Sequence, residues 1–144
     1  MTPSPSTALT ALARTAVGSV MHAGLIECEP DEDVATVART MAEHRVHCVV
    51  VAGIQRRGTR GQHLAWGILS DLDLVRALRA GAADRPAGEL AGSEVVVVDP
   101  ADTLERAAQL MAEHETAHLV VAADDPAAPI GVISTLDIAG VATG

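Results

Sequence analysis

Two stretches of the chain place a hydroxyl and a carboxylate three residues apart behind an apolar run: Gly67-Ile68-Leu69-Ser70-Asp71-Leu72-Asp73 and Gly131-Val132-Ile133-Ser134-Thr135-Leu136-Asp137. In each, residues of strand character meet a Ser and then an Asp that opens a helical pattern, which predicts a strand-to-helix corner. Such a corner aims backbone N–H groups, the positive end of a helix dipole, a hydroxyl and a carboxylate at one patch of space. Phosphate suits the first three, and a sugar diol suits the fourth. The Asp lies one turn beyond the Ser on the same helix face, so both parts of a ligand could be held at a fixed separation. The same residues also spell a capping box, in which Ser satisfies an orphan N–H and the acidic residue reaches back to the cap. Spacing alone fits both, and duplication does not separate them, because a duplicated cap looks identical.

Other reactive side chains offer less. His44 with His47, and His114 with His118, have ligand-like spacing, but each pair straddles a helix-to-strand transition, and four convergent metal ligands cannot be assembled from either. A His at a helix C-terminus, where it complements the dipole, accounts for His44 and His114, and no metal is expected. Ser70 and Ser134 have no His–Asp relay beside them in the repeat, and no phosphate-binding Gly-rich loop is present. The chain is therefore expected not to be an enzyme. Arg56, Arg57, Arg60 and His63 form a basic island that reads as a solvated, mobile loop or as an anion or partner contact, and Trp66 reads as a core or interface anchor.

Charge and composition remove whole classes of partner. A formal net charge of −9, with ten Arg and no Lys, opposes binding to nucleic acid or to an anionic membrane, both of which need clustered positive charge. No apolar run approaches the ~20 residues that span a bilayer, and no signal-peptide pattern opens the chain, so a soluble cytoplasmic protein is expected. Two cysteines, Cys28 and Cys48, fit a reducing compartment. With 49% hydrophobic residues but neither Phe nor Tyr, the core must be built from aliphatic side chains.

The elements that position the corners follow from an internal repeat. A displacement of 70 aligns Gly18 to Ala52 with Gly88 to Ala122: Pro30 meets Pro100, and Met41-Ala42-Glu43-His44 meets Met111-Ala112-Glu113-His114. Beyond that the displacement falls to 64, and the six-residue difference sits between Gly53 and Ala65. Each unit begins with a short apolar strand, Leu25 to Cys28 or Val95 to Val98, closed by a Pro. A helix follows, with Val34, Val37, Ala38 and Met41, or Leu104, Ala107, Ala108 and Met111, at i, i+3, i+4 and i+7. Asp102 and Glu105 have capping-box spacing at the second of these. Two strands come next, Cys48 to Ala52 with Trp66 to Leu69, and His118 to Ala122 with Ile130 to Ile133. The corner helices then run from about Leu72 to Leu78 and from about Leu136 to Val141. Residues 1–16 read as a flexible tail (Met1 to Thr7) and a lead-in helix, 17–79 and 88–144 as two domains, and 80–87 as a linker.

The entry Val17-Gly18-Ser19-Val20-Met21, the element order and the two Gly-x-x-Ser-x-x-Asp exits together resemble the CBS domain, named after cystathionine β-synthase, over Val17 to Val141. Two in tandem look like the pair called a Bateman module. The resemblance implies an α+β fold of two tandem CBS domains, each strand-helix-strand-strand-helix, related by pseudo-twofold symmetry. It implies a regulatory module whose cleft binds an adenosine-containing ligand (AMP, ADP, ATP or S-adenosylmethionine), with no cofactor required. It also implies a homodimer and an effector protein as partners. The alternative is a structural dimerisation or protein-interaction module without bound nucleotide. By position, the family pattern assigns Ser70 and Ser134 to phosphate, Asp73 and Asp137 to ribose, Cys28 and Val98 to the base pocket, and His47, Cys48 and His118 to the ligand-lining stretch. Here the sequence departs from the pattern: Val50 and Val120 stand where a Pro is usual, and only His118 replaces the usual Arg. Neutral His offers far less to a triphosphate than Arg.

Overall fold

A computed structural model of the chain describes residues 5–59, 61–91, 94–123 and 128–143. Two compact units are present, and they cut the chain at other places than the repeat: a middle unit, Leu25–Val95, and a terminal unit, Met1–Gly24 with Val96–Gly144.

The middle unit contains β2 (Glu27–Cys28), α2 (Val34–His44), β3 (Cys48–Gly58), β4 (His63–Ser70), α3 (Asp71–Arg79), α4 (Ala87–Leu90) and β5 (Glu94–Val95). Antiparallel β3 and β4 form its centre, and β2 and β5 each run parallel to a different stretch of β3. The terminal unit contains α1 (Pro5–Arg14), a 3-10 turn at Val17–Ser19, β1 (His22–Ala23), β6 (Val97–Val98), α5 (Leu104–His114), β7 (His118–Ala123), β8 (Ala128–Ser134) and α6 (Thr135–Thr143). Its sheet has the order β1-β8-β7-β6. In each unit one face of the sheet and the helices above it form the core. Val49, Val51 and Leu69 pack with Val34, Val37 and Met41, whereas Leu119, Val121 and Ile133 pack with Leu104, Ala107 and Met111. The apolar stripes expected of α2 and α5 are thus the buried faces.

The helix starts differ in detail from expectation. Asp33 caps α2 through the Thr36 N–H at 2.8 Å, and Thr103, not Asp102, caps α5 through the Arg106 N–H at 3.1 Å. Asp102 instead accepts from the Asp99 N–H, as Glu32 does from the Glu29 N–H, closing the turn before the cap. Both helices end on a non-glycine residue in the left-handed region, Arg45 and Glu115.

Three expected irregular stretches are ordered. Pro5 to Thr7 is the first turn of α1, where Pro is preorganised for helix, while residues 1–4 of the expected tail lie outside the described ones. The loop expected from Gly53 to Ala65 is largely ladder: β3 continues to Gly58 and β4 starts at His63, with a bulge between Ala52 and Arg56. Arg56 fixes this hairpin by donating from Nη2 to the Gly88 carbonyl at 2.9 Å. The linker over 80–87 is tied to α2, whose Val34 and Ala35 N–H groups donate to the Arg85 and Ala83 carbonyls.

The way the chain is cut has a cause that occurs twice. In the terminal unit the Gly18 N–H donates to the Pro100 carbonyl and the Val17 N–H to the Asp102 carbonyl; in the middle unit Gly88 does the same to Pro30 and Ala87 to Glu32. These segments stand 70 residues apart in the repeat, yet each closes the unit built by the other copy. The contact is close: a Cβ on Gly88 would lie 2.9 Å from the Pro30 Cβ and 3.2 Å from its carbonyl oxygen. Gly88→Ala gains about 0.5–1 kcal/mol of helix propensity but forces a rigid ring aside, an overpacking of about 1–3 kcal/mol. The net expectation is a lower denaturation midpoint with an unchanged denaturant slope.

Candidate functional site

Each corner is built by the same three constraints, two of the backbone and one of side chains. Ser70 stands opposite Cys48 in the β3–β4 ladder and Ser134 opposite His118 in the β7–β8 ladder. The first helical N–H then ties back to the residue before the inner strand: Asp71 to the His47 carbonyl at 2.8 Å, Thr135 to the Ala117 carbonyl at 3.0 Å. Finally the Asp three residues on folds back onto the Ser. In the middle unit this is a full capping box: the Asp73 N–H donates to Ser70 Oγ at 3.1 Å, and the Ser70 N–H donates to Asp73 Oδ2 at 3.0 Å.

The terminal unit carries more contacts on the equivalent carboxylate. Asp137 Oδ2 accepts from the Ser134 N–H at 2.8 Å and from the Ser134 hydroxyl at 3.0 Å, and Oδ1 is bonded by His22 Nε2 at 2.8 Å. His22 is a residue that sequence analysis did not single out. It is 115 residues from Asp137 and comes beside it because β1 pairs antiparallel with β8, His22 opposite Val132. Gly131 makes this possible, since a Cβ there would lie 2.8 Å from the His22 carbonyl oxygen.

The remaining site residues divide. His47 Nδ1 is bonded to Asp71 Oδ2 at 3.0 Å, so it stands at the middle-unit corner with Cys48, Ser70 and Asp73. His118 flanks the Ser134 corner through the ladder, and its backbone exchanges contacts with the Thr116 hydroxyl. Cys28 and Val98 do not join them: both side chains are in the cores. Their strands pair Cys28 with Val51 and Val98 with Val121, three positions along from Cys48 and His118. Strand alternation gives the other face to Glu27 and Val97, which pair with Val50 and Val120, so these neighbours share the face of Cys48 and His118. A two-residue strand carries too little alternation to reveal this from sequence.

Electrostatics separate the groups further. Burial pushes the Cys28 and Cys48 thiols up to about 11, helped by Glu32 and Glu29 at the first and Asp71 at the second, so both stay protonated near neutrality. They behave as small apolar residues. No group of three or more His, Cys, Asp or Glu is placed to hold a metal ion among the described residues. Burial by itself would raise the Asp137 carboxyl, but the Ser134 N–H, the His22 ring and the Ser134 hydroxyl outweigh it and hold the pKa below its ordinary 3.8.

A family model described as the CBS domain matches residues 17–80 and again 87–144. No curated protein matches the sequence. Among solved structures, the CBS domain pair of protein MJ0100, in complex with 5′-methylthioadenosine and S-adenosyl-L-methionine, is 16% identical, with a TM-score of 0.72 over 88% of this chain and 94% of that one. Protein PAE2072 from Pyrobaculum aerophilum, a CBS domain protein complexed with AMP, is 22% identical with a TM-score of 0.68 over 85% and 88%. Hypoxic Response Protein I, with two coordinated zinc ions, is 26% identical with a TM-score of 0.66 over 88% and 98%.

The depressed carboxyl makes a pH test. Asp137 adds stability that is fully present above the ordinary carboxylate pKa and is lost as pH falls through the lower folded value. Asp137→Asn should therefore melt below the wild type at pH 7, and the gap between the two melting curves should close as the pH is taken below 3.8.

Proposed function

We propose that this chain, which belongs to the CBS domain family, is a regulatory module that binds an adenosine-containing ligand through its Ser-x-x-Asp corners. One observation carries the proposal: the Asp73 carboxylate is engaged only by the Ser70 N–H, through one oxygen, and has no other partner among the described residues. An ionised carboxylate has roughly four acceptor positions, so a vicinal diol can still be gripped by two hydroxyls. The Ser70 oxygen accepts from the Asp73 N–H, and its own hydrogen is available to a phosphate or carboxylate oxygen of the ligand. The capping box thus does not compete with the ligand; it holds both groups still before the ligand arrives.

The solved relatives support the ligand class. 5′-Methylthioadenosine, S-adenosylmethionine and AMP have the adenine ribonucleoside in common, with its 2′,3′-diol, and differ at the 5′ position. His118 in place of an Arg, on a chain of net charge −9, favours ligands with few phosphates, so AMP or S-adenosylmethionine should bind above ADP, and ADP above ATP. Control then follows if the ligand favours one arrangement of the protein over another, by about 1–3 kcal/mol for an ordinary allosteric effect. No helix among the described residues is long and apolar enough to cross a membrane.

Self-association belongs to the same proposal. Helix α3 buries Leu74 and Ala77, yet Leu72, Val75 and Leu78 on its other side are 54%, 58% and 42% exposed, and Leu136 on α6 is 80% exposed. A helix apolar on two sides calls for a second partner. The family pattern makes that partner a second copy of the chain. An open apolar groove between α5 and α6, lined by Met111, Ile138 and Ala139 among others, lies beside Thr135.

Isothermal titration with AMP, ADP, ATP and S-adenosylmethionine tests the ligand, with Trp66 emission as a second signal because Trp66 shares the sheet face of Cys48 and Ser70. Asp73→Ala should lower AMP affinity at least tenfold while costing about 1 kcal/mol of stability from the lost box. Equal AMP affinity in the two chains would leave Asp73 a cap and nothing more. For the second copy, light scattering after gel filtration should give a dimer for the wild type and a monomer for Val75→Glu.

A further inference from the structure

The two corners share a sequence pattern but not a state of occupation. Of the roughly four acceptor positions on a carboxylate, Asp73 has one in use, for the Ser70 N–H. Asp137 has three in use: the Ser134 N–H and hydroxyl on Oδ2, and His22 Nε2 on Oδ1. A vicinal diol needs two. It fits at Asp73 as the corner stands, whereas at Asp137 it must first displace a donor.

The donor that can leave is His22. The Ser134 N–H is fixed by the backbone of the corner, and the Ser134 hydroxyl belongs to the cap itself. The His22 side chain is 75% exposed while that of Asp137 is only 13% exposed, so the ring lies over the carboxylate with open solvent on its other side. Swinging it away opens no cavity in the core. The repeat has no second such ring: a displacement of 70 sets Gly92 against His22.

We propose that His22 is an internal competitor for the 2′,3′-diol at Asp137, so that a nucleoside enters the Asp73 corner first and the Asp137 corner only when His22 is displaced. This rests on the nucleoside-binding reading given above, and it adds an order of filling. One ligand concentration then fills the open corner and a higher one the closed corner, which gives the chain two response thresholds from one ligand. His22 acts through Asp137, as a positioning residue that contacts the carboxylate rather than the ligand.

The test uses the full chain and AMP, with 2′-deoxy-AMP as the control that lacks the diol. Wild-type protein should bind one AMP tightly and a second at least tenfold more weakly, and His22→Ala should strengthen the second step by about tenfold or more. In an Asp73→Ala background the same change should turn weak AMP binding into clear binding, and adding Asp137→Ala should remove it again. 2′-Deoxy-AMP should show no gain. His22→Val, which keeps a strand-favouring side chain at the β1 edge without a donor, repeats the experiment if the Ala variant melts early. A residue with a merely structural role would lower affinity on removal, so the direction of change is diagnostic. If His22→Ala and His22→Val leave the second step unchanged while Asp73 still binds AMP, the competitor is ruled out and the nucleoside reading stands. If neither wild type nor variants bind AMP, both fall together.

Discussion

A close glycine-to-proline backbone contact holds each half of this protein closed. Gly18 lies against Pro100 in one unit and Gly88 against Pro30 in the other, each with its N–H on the proline carbonyl. The proline ends a strand because it cannot donate to a ladder, and its carbonyl is then left to be satisfied by another segment. In both units that segment comes from the opposite copy of the repeat. A copy of some 60 residues is near the lower limit for independent folding. Exchanging the closing segment makes each copy's core complete only when the other is present in the chain, so the duplication is a condition of folding rather than an ornament on it.

The same economy appears at the corners. A helix N-terminus leaves N–H groups without partners, and the nearest Ser and Asp satisfy two of them. What remains of those side chains is what a nucleoside needs: spare acceptor positions on a carboxylate and a hydroxyl hydrogen. The cap fixes the rotamers of both groups through bonds of 3.0 and 3.1 Å at Ser70 and Asp73, so a ligand meets them already ordered. Under the proposed function, structural and recognition roles draw on different lone pairs of one carboxylate, so the two readings that spacing allows are compatible.

Much of this was legible before any coordinates. The helical stripes were, because Val34, Val37 and Met41, and Leu104, Ala107 and Met111, repeat at the period of a helix and are buried. The corners were, because Ser-x-x-Asp after an apolar run has few other conformations open to it. Strand ends were not: Arg56, Arg57 and His63 read as loop residues, yet they belong to the β3–β4 ladder, with Arg56 bonded to Gly88, a contact 32 residues away. Cys28 and Val98, expected at a base pocket, have their side chains in the cores, and strands of two residues show no period from which their faces could be told. His22 was invisible for a related reason. Its bond to Asp137 depends on β1 joining the sheet of the other copy, and no local pattern encodes that pairing.

Asymmetry between the copies concentrates where pairing is non-local. From Gly18 to Ala52 and from Gly88 to Ala122 the copies align without a gap, and the apolar positions of their helices coincide. Three pairs of aligned residues bear on this in the sequence: His22 against Gly92, His47 against Ala117 and Asp71 against Thr135. Of these, His22 bears directly on a corner carboxylate, and its side chain is exposed. His47 bonds Asp71 at the outer edge of one corner and leaves Asp73 open, whereas His22 bonds Asp137 itself. One architecture therefore carries two corners whose carboxylates differ in availability, since the fold rests on Gly, Pro and the aliphatic stripes, whereas the acceptor positions left open depend on which imidazole reaches which oxygen.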